Sequence, residues 1–129
     1  TSIRRLENYN TRNLPELLGL GASVKFHNEI GADKITKRSF ELKSYFRAKV
    51  KNNPKFKLKT PELDSLSAAI QVVEVLGKDV KEIKKQLFDD YGIDCRPMTG
   101  FGLNALRLSF AIYITRKDID YLVDALEKV

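Results

Sequence analysis

The alternation of apolar and polar positions predicts a strand close to the C-terminus, with an arginine on one face. Four apolar side chains share the other face, namely Leu106, Leu108, Phe110 and Ile112. Arg107 therefore points away from them, among small residues that leave room for a group to dock against its guanidinium. These small residues are Ala105, Ser109 and Ala111. Because a planar guanidinium pairs bidentately with carboxylates and phosphates, Arg107 is a candidate anion-binding residue.

Helical spacing of apolar residues, together with capping signals, predicts four helices. They begin at Asn13, near Asp33, at Asp79 and at Thr115, and the first three end near Gly31, Val50 and Gly92. Acidic residues three positions after the caps support the first, third and fourth starts, since they complete the usual capping pattern. Gly19 and Gly21 lie inside the first helix, where each costs about 1 kcal/mol relative to alanine. We therefore expect this helix to pack closely against another backbone.

Short apolar runs between the helices predict four strands, over residues 56–60, 67–76, 93–97 and 106–113. Lysines alternate with apolar residues in the first run, which is typical of an edge strand protected against aggregation. The second run is almost wholly apolar and is predicted to lie centrally in the sheet. Short connections between strands favour hairpins. The sequence thus predicts an α+β fold, a small mostly antiparallel sheet with helices packed on one side.

Length and composition indicate one soluble domain over residues 1–129, with residues 1–12 as an extended lead-in. The chain of 129 residues is 43% hydrophobic and holds no apolar run of the length that a membrane span needs. Its single cysteine, Cys95, cannot form an internal disulfide, which favours the reducing cytoplasm. The chain starts at Thr1 rather than methionine, so we expect a domain excised from a longer protein.

The net charge of +6 is concentrated in the middle of the chain. Between positions 34 and 59 there is one acidic residue, Glu41, and there are ten basic residues. The basic residues are Lys34, Lys37, Arg38, Lys43, Arg47, Lys49, Lys51, Lys55, Lys57 and Lys59. Such a field attracts nucleic acid or an acidic membrane. We favour a solvated helix face whose long side chains cover apolar surface, because the segment lacks the aromatic and basic interleaving of known nucleic-acid modules.

Other chemically active side chains carry weaker signals. His27 has no second ligand at metal-binding spacing, so no metal site is predicted. Cys95 has no base beside it in the sequence and is interpreted as a small buried apolar side chain. The loop around Gly100 and Gly102 does not follow the strand-to-helix pattern of phosphate-binding loops.

Three segments, in the right order, resemble the C-terminal small domain of the class V aminotransferases. This family of fold-type I pyridoxal-phosphate enzymes includes cysteine desulfurases, selenocysteine lyases and isopenicillin N epimerase. The residues 5–13, RLENYNTRN, resemble the family stretch F-E-x-G-T-x-N, and residues 91–97, YGIDCRP, are similar to G-I-x-x-R. Residues 106–122 resemble R-x-S-x-x-x-Y-N-T-x-x-E-I-D-x-L. Together the three segments span nearly the whole chain.

The resemblance implies roles for three residues. Arg107 would hold the α-carboxylate of an amino-acid substrate, and Arg96 would line the substrate entrance. Thr11 would reach the phosphate of pyridoxal phosphate, usually that of the partner subunit in a homodimer. The parent enzyme would also contain a large N-terminal domain, and its cofactor would serve as an electron sink for bond cleavage at or near Cα.

The chain also departs from the family pattern. The Schiff-base lysine belongs to the large domain, and no lysine here lies in an S-x-x-H-K context, so the chain is expected to be catalytically incomplete alone. Asn10 replaces a glycine of the first motif, and Ile114 replaces the asparagine after the tyrosine. Between Arg96 and Arg107 the loop has no cysteine, which disfavours a persulfide-forming desulfurase and leaves aminotransferase, lyase or epimerase chemistry.

The sequence therefore predicts the C-terminal domain of a class V pyridoxal-phosphate enzyme acting on an amino acid, without a catalytic residue or a metal of its own. Two alternatives stay open at this point. One is a basic module that binds nucleic acid through residues 34–59, and the other is a noncatalytic dimerisation scaffold. The substrate, and the choice among transamination, elimination and epimerisation, are not specified by these patterns.

Overall fold

The computed structural model describes Ile3 and residues 13–129. Contacts divide the chain into two compact units, the first ending at Ala32 and the second covering Asp33–Val129. The expectation of one domain over residues 1–129 stays a prediction. The lead-in over residues 1–12 lies outside the described residues, Ile3 excepted. No helix within the described residues is long and apolar enough to cross a membrane.

The first unit contains helix α1, Leu14–Ile30. The predicted cap is confirmed, because the side chain of Asn13 accepts a hydrogen bond from the backbone N–H of Glu16 at 3.4 Å. The helix ends at Gly31, whose φ of 93° is one that glycine adopts at little cost.

The apolar residues of helix α1 are spread around the helix rather than gathered on one face, and none of its residues is buried. Leu17, Leu20 and Val24 are all exposed. A Cβ added at Gly19 or Gly21 would meet no atom of the described residues within 4 Å. The described residues thus show no close packing at either glycine, and the expectation of such packing stays a prediction.

The second unit holds four strands, two complete helices and all but the first residue of another helix. In chain order these are α2 (Ala32–Val50), β1 (Phe56–Leu58), β2 (Ile70–Val75), α3 (Val80–Tyr91), β3 (Arg96–Met98), β4 (Ala105–Ser109) and α4 (Arg116–Lys128). The strands form one sheet in the order β1-β2-β4-β3, with antiparallel pairing throughout. The α+β prediction is confirmed, and β1 is the predicted lysine-bearing edge strand.

The helices cover one face of this sheet. The inward side chains of β2 and β4 are buried in a single cluster with apolar residues of α2, α3 and α4. The cluster includes Leu42, Phe46, Val50, Val73, Val75, Ile83, Leu87, Leu106, Leu108, Ile119, Val123 and Leu126. Strand alternation leaves the intervening residues, Arg107 among them, on the opposite face.

The strands are shorter than predicted. Strand β4 stops at Ser109 because the following residues form a turn, in which the backbone N–H of Ile114 donates to the carbonyl oxygen of Ala111 at 3.0 Å. The prediction that Ile112 continues the buried face of the strand is thus wrong. At the start of β2, residues 67–69 are not in the strand, and a short 3₁₀ helix, Asp64–Leu66, precedes them. The third strand begins at Arg96 rather than at position 93.

The ends of the last two helices follow the sequence signals closely. Asp79 caps α3 by accepting from the backbone N–H groups of Lys81 and Glu82, and Gly92 ends this helix in the left-handed conformation. Thr115 and Asp118 form the predicted reciprocal capping box at the start of α4. These caps fix where α3 and α4 meet the edge of the sheet.

One basic residue of α2 is a core residue, contrary to the expectation of a solvated basic face. Lys43 is 1% exposed, and its ammonium donates to Asp64 at 3.1 Å and to the hydroxyl of Ser67 at 2.6 Å. It also lies 4.1 Å from the centre of the Phe40 ring. The segment that precedes β2 thus supplies the oxygen ligands that make burial of this charge tolerable.

Candidate functional site

Arg107 lies in the interior strand β4, on the face of the sheet that the helices leave free. Its register partners are Val72 in β2 and Arg96 in β3. Directly opposed residues of an antiparallel pair share a face, so the two candidate arginines are cross-strand neighbours. The structure therefore brings Arg96 and Arg107 together.

The guanidinium of Arg107 has an unmet hydrogen-bonding requirement. Its Nε is buried and has no hydrogen-bond acceptor among the described residues. No ion pair between described side chains includes Arg107 or Arg96. A buried donor without an acceptor is uncommon in folded proteins, and one explanation is a missing ligand.

Both arginines line a cavity of about 670 Å³ at the edge of the sheet. The walls come from three places: the segment from Tyr91 to Pro97, strand β4 with Phe110 behind it, and the start of α4. The hydroxyl of Tyr121 donates to the carbonyl oxygen of Tyr91 at 3.2 Å, which ties α4 to the end of α3. This volume is within the range of small-molecule sites.

The two carboxylates in the cavity wall are already engaged. Asp118 accepts from the backbone N–H and the hydroxyl of Thr115, both at 2.8 Å. The backbone hydrogen bond, followed by the side-chain one, lowers the pKa of Asp118 and keeps it ionised. Asp94 forms an ion pair with Lys84 at 3.3 Å. The arginines are thus left without an acidic partner in the wall, which suits an anionic ligand.

Cys95 lines the same cavity but is poorly suited to nucleophilic chemistry. It is half-buried and packs against the core cluster. Burial, with a smaller contribution from Asp94 and against the effect of Lys84, raises the pKa of Cys95 to about 11. Because the thiolate is the reactive form, a thiol that stays protonated at neutral pH is a weak nucleophile.

We expect Cys95 to react with iodoacetamide at pH 8 at least about tenfold more slowly in the folded chain than in urea. The thiolate fraction falls with the raised pKa, and the greater nucleophilicity of a more basic thiolate offsets only part of that fall. Mass spectrometry of timed samples measures the rates, with a small cysteine peptide as the control for the effect of urea. Equal rates in the folded and unfolded chain would contradict the assigned environment.

Not every residue singled out from the sequence reaches this cavity. Thr11 lies outside the described residues, so its assignment stays a prediction. His27 lies on α1 with its Nδ1 2.9 Å from the carbonyl oxygen of Ser23. No group of three or more potential metal ligands is found in the part of the chain that the structure describes.

Sequence reasoning missed the residues that shape the cavity. Tyr121 lies in the segment 106–122 that resembles the family ending, and Asp118 is the acid three positions after the predicted cap Thr115. Their positions at the first two turns of an amphipathic helix, just after the arginine strand, were the available signal. These positions alone could not identify Asp118 and Tyr121 as cavity residues, because the sequence does not show which end of α4 meets the sheet edge.

Most basic side chains of residues 34–59 contact other residues of the fold. Six of its ten basic side chains make hydrogen bonds or ion pairs to the rest of the second unit: Arg38, Lys43, Arg47, Lys49, Lys55 and Lys59. Arg47 donates to the carbonyl oxygen of Thr60 at 3.0 Å and to the buried side chain of Gln71 at 2.7 Å. These contacts remove much of the basis for a nucleic-acid surface.

Comparison with solved structures shows a shared fold. A cysteine desulfurase from Thermococcus onnurineus superposes with a TM-score of 0.82 at 19% identity, over 94% of this chain and 32% of that protein. The cysteine desulfurase CsdA from Escherichia coli gives a TM-score of 0.79 at 22% identity, over 94% of this chain and 31% of that protein. At these identities the likeness concerns the fold alone.

Sequence comparison identifies the family. Isopenicillin N epimerase from Streptomyces clavuligerus is 30% identical over 126 residues, which cover 97% of this chain and 32% of that protein. A cysteine desulfurase from Wigglesworthia glossinidia brevipalpis is 29% identical over 126 residues, covering 91% of this chain and 30% of that protein. The chain thus spans about a third of the length of these relatives. The model of the class-V aminotransferase family matches residues 5–122, so the chain belongs to the class-V aminotransferase family.

Proposed function

We propose that the chain is the C-terminal small domain of a pyridoxal-phosphate enzyme acting on an amino acid, and that Arg107 binds the substrate α-carboxylate. The observation that carries the proposal is the guanidinium of Arg107, which lines a cavity while its buried Nε lacks an acceptor among the described residues. A carboxylate is the natural partner for such a group, because two parallel N–H donors match its two oxygens.

The residues around Arg107 would determine how the bound carboxylate is oriented. The interior strand β4 holds the backbone of Arg107 between two paired strands, so the guanidinium is presented from a rigid element. Ser109 lines the cavity beside Arg107, and the aromatic pair Tyr91 and Tyr121 closes one side of it. The chain would thereby orient the α-carboxylate and shield it from water.

The chain's residues fit the substrate side of a pyridoxal-phosphate site. When bound, the cofactor supplies an electron sink for bond cleavage at or near Cα of the amino acid. We assign Thr11 to the cofactor phosphate of the partner subunit in a homodimer. The lysine that carries the cofactor is assigned to a large N-terminal domain, since no lysine of this chain has the S-x-x-H-K context.

The chemistry we favour is that of an aminotransferase, lyase or epimerase rather than of a persulfide-forming desulfurase. The hairpin between β3 and β4 contains no cysteine, and Cys95, which precedes it, has a pKa raised to about 11. A thiol of that basicity is poorly prepared to attack the sulfur atom of a substrate. We place the enzyme in the cytoplasm, since the one cysteine of this chain, Cys95, is a free thiol.

Cofactor binding by the complete protein tests the proposal. With pyridoxal phosphate, the complete protein should gain a visible absorbance band that changes on addition of an amino acid, whereas the 129-residue chain alone should turn over none. A complete protein without any spectral response to the cofactor would contradict the proposal. Self-association without such a response would support the dimerisation scaffold instead.

A further inference from the structure

We propose that the substrate carries a second anionic group besides its α-carboxylate, and that Arg96 binds this second group. The inference rests on the proposed function, since it takes Arg107 as the residue for the α-carboxylate. It adds a substrate class, namely acidic amino acids or amino acids whose side chain ends in a comparable anion. The observation behind it is the pairing of two arginines across the strands at one cavity.

The pairing of Arg96 with Arg107 is unfavourable in the absence of a ligand. Directly opposed side chains of an antiparallel pair have their Cβ atoms about 4.5–5.5 Å apart, and like charges at that separation destabilise the sheet. The other charged cross-strand pair in this sheet has opposite signs, because Lys57 is the register partner of Glu74. Glu74 also pairs with Lys59 at 2.6 Å. The like-charged pair is therefore a local exception, and it lies at the cavity.

No described acid neutralises the two arginines. Asp94 is held by Lys84 and Asp118 by Thr115, as their ion pair and hydrogen bonds show. Neither arginine forms an ion pair with any described side chain. Two arginines at directly opposed strand positions, without an acidic partner among the described residues, call for anionic charge from a ligand.

Arg107 is more deeply buried than Arg96. This difference favours a ligand with two anionic groups, one for each arginine, over a single carboxylate shared by both. Arg107 is partly buried and its Nε is shielded from solvent, whereas Arg96 on the edge strand is exposed. The cavity of about 670 Å³ is also much larger than one carboxylate needs. A substrate that places its α-carboxylate on Arg107 would extend its side chain towards Arg96.

Titration of the 129-residue chain with succinate and with propionate tests the inference at constant ionic strength. Shifts of the backbone amide signals of residues 93–97 and 107–110 in nitrogen–proton spectra report the dissociation constants. Succinate should bind about five- to tenfold more tightly than propionate. This exceeds the roughly twofold advantage that a ligand with two equivalent carboxylates has on statistical grounds.

Variants separate the roles of the two arginines. Arg96→Gln should reduce the preference for succinate to about twofold and leave propionate binding unchanged, whereas Arg107→Gln should weaken both ligands. Arg96→Lys should restore part of the preference. Lys57→Gln, on the far edge strand, serves as the control and should change neither ligand. Retained chemical shifts away from the cavity show that each variant is folded.

The outcomes distinguish the two proposals. If wild-type chain binds succinate and propionate within twofold of each other, and Arg107→Gln weakens both, the second-anion inference fails while the carboxylate site stands. A preference for succinate that survives Arg96→Gln also overturns the assignment of Arg96. If neither ligand perturbs the cavity residues, the carboxylate site of the proposed function fails as well.

Discussion

Replacing Arg107 with alanine in the complete enzyme is expected to reduce kcat/KM for its amino-acid substrate by about 30- to 5,000-fold. The change removes a bidentate charged contact, a loss of about 2–5 kcal/mol in the free energy of substrate or transition-state binding. The side chain contributes no ion pair among the described residues, so the fold should tolerate its loss. Steady-state kinetics measure the effect, and the visible spectrum checks that the cofactor still binds.

Two further variants make this result interpretable. Arg107→Lys keeps the charge but loses the planar fork, and it should give an intermediate rate. Lys57→Ala, on the edge strand β1, alters the charge outside the cavity and should leave kcat/KM unchanged. A full rate for Arg107→Ala, with the fold and the cofactor spectrum intact, would show that the α-carboxylate is bound elsewhere.

Replacing Phe46 with alanine is expected to lower the free energy of unfolding by about 3–5 kcal/mol. The side chain of Phe46 is 0% exposed near the C-terminal end of α2, and its ring centre lies 5.5 Å from that of Phe110. Truncation removes apolar contact area and leaves a cavity that the neighbouring strands can fill only in part. Since Phe110 also lines the ligand cavity, the lost packing would loosen the wall beside Arg107.

Urea unfolding followed by circular dichroism measures this loss as a lower midpoint at an unchanged slope. Phe88→Ala is the matched control, because Phe88 is 53% exposed on α3 and should cost about 1 kcal/mol or less. Equal losses in the free energy of unfolding for the two variants would show that Phe46 contributes no more to the stability of the core than the exposed Phe88 does.

The helices and the fold class could be predicted because their signals are local. Asn13, Asp79 and Thr115 cap their helices as the sequence indicates, and Gly92 ends α3 in the left-handed conformation. A cap depends on residues within one turn, so a single sequence contains the information. The face of Arg107 could be predicted for the same reason, since strand alternation is also local.

Features set by distant segments could not be predicted. The burial of Lys43 depends on Asp64 and Ser67, more than twenty positions further along the chain. The length of β4 is limited by a turn at Ala111 rather than by the apolar pattern, which continues to Ile112. The pairing of Arg96 with Arg107 needs the register of β3, which no residue pattern specifies.

The side-chain Nε–H signal of Arg107 in nitrogen–proton spectra tests the central claim most directly. This group is buried without an acceptor among the described residues, so a carboxylate that binds the guanidinium should change its environment strongly. On titration of the 129-residue chain with propionate, we predict a saturable shift of this signal, with an apparent affinity that weakens as the salt concentration is raised. A signal that stays unchanged at every propionate concentration would contradict the account.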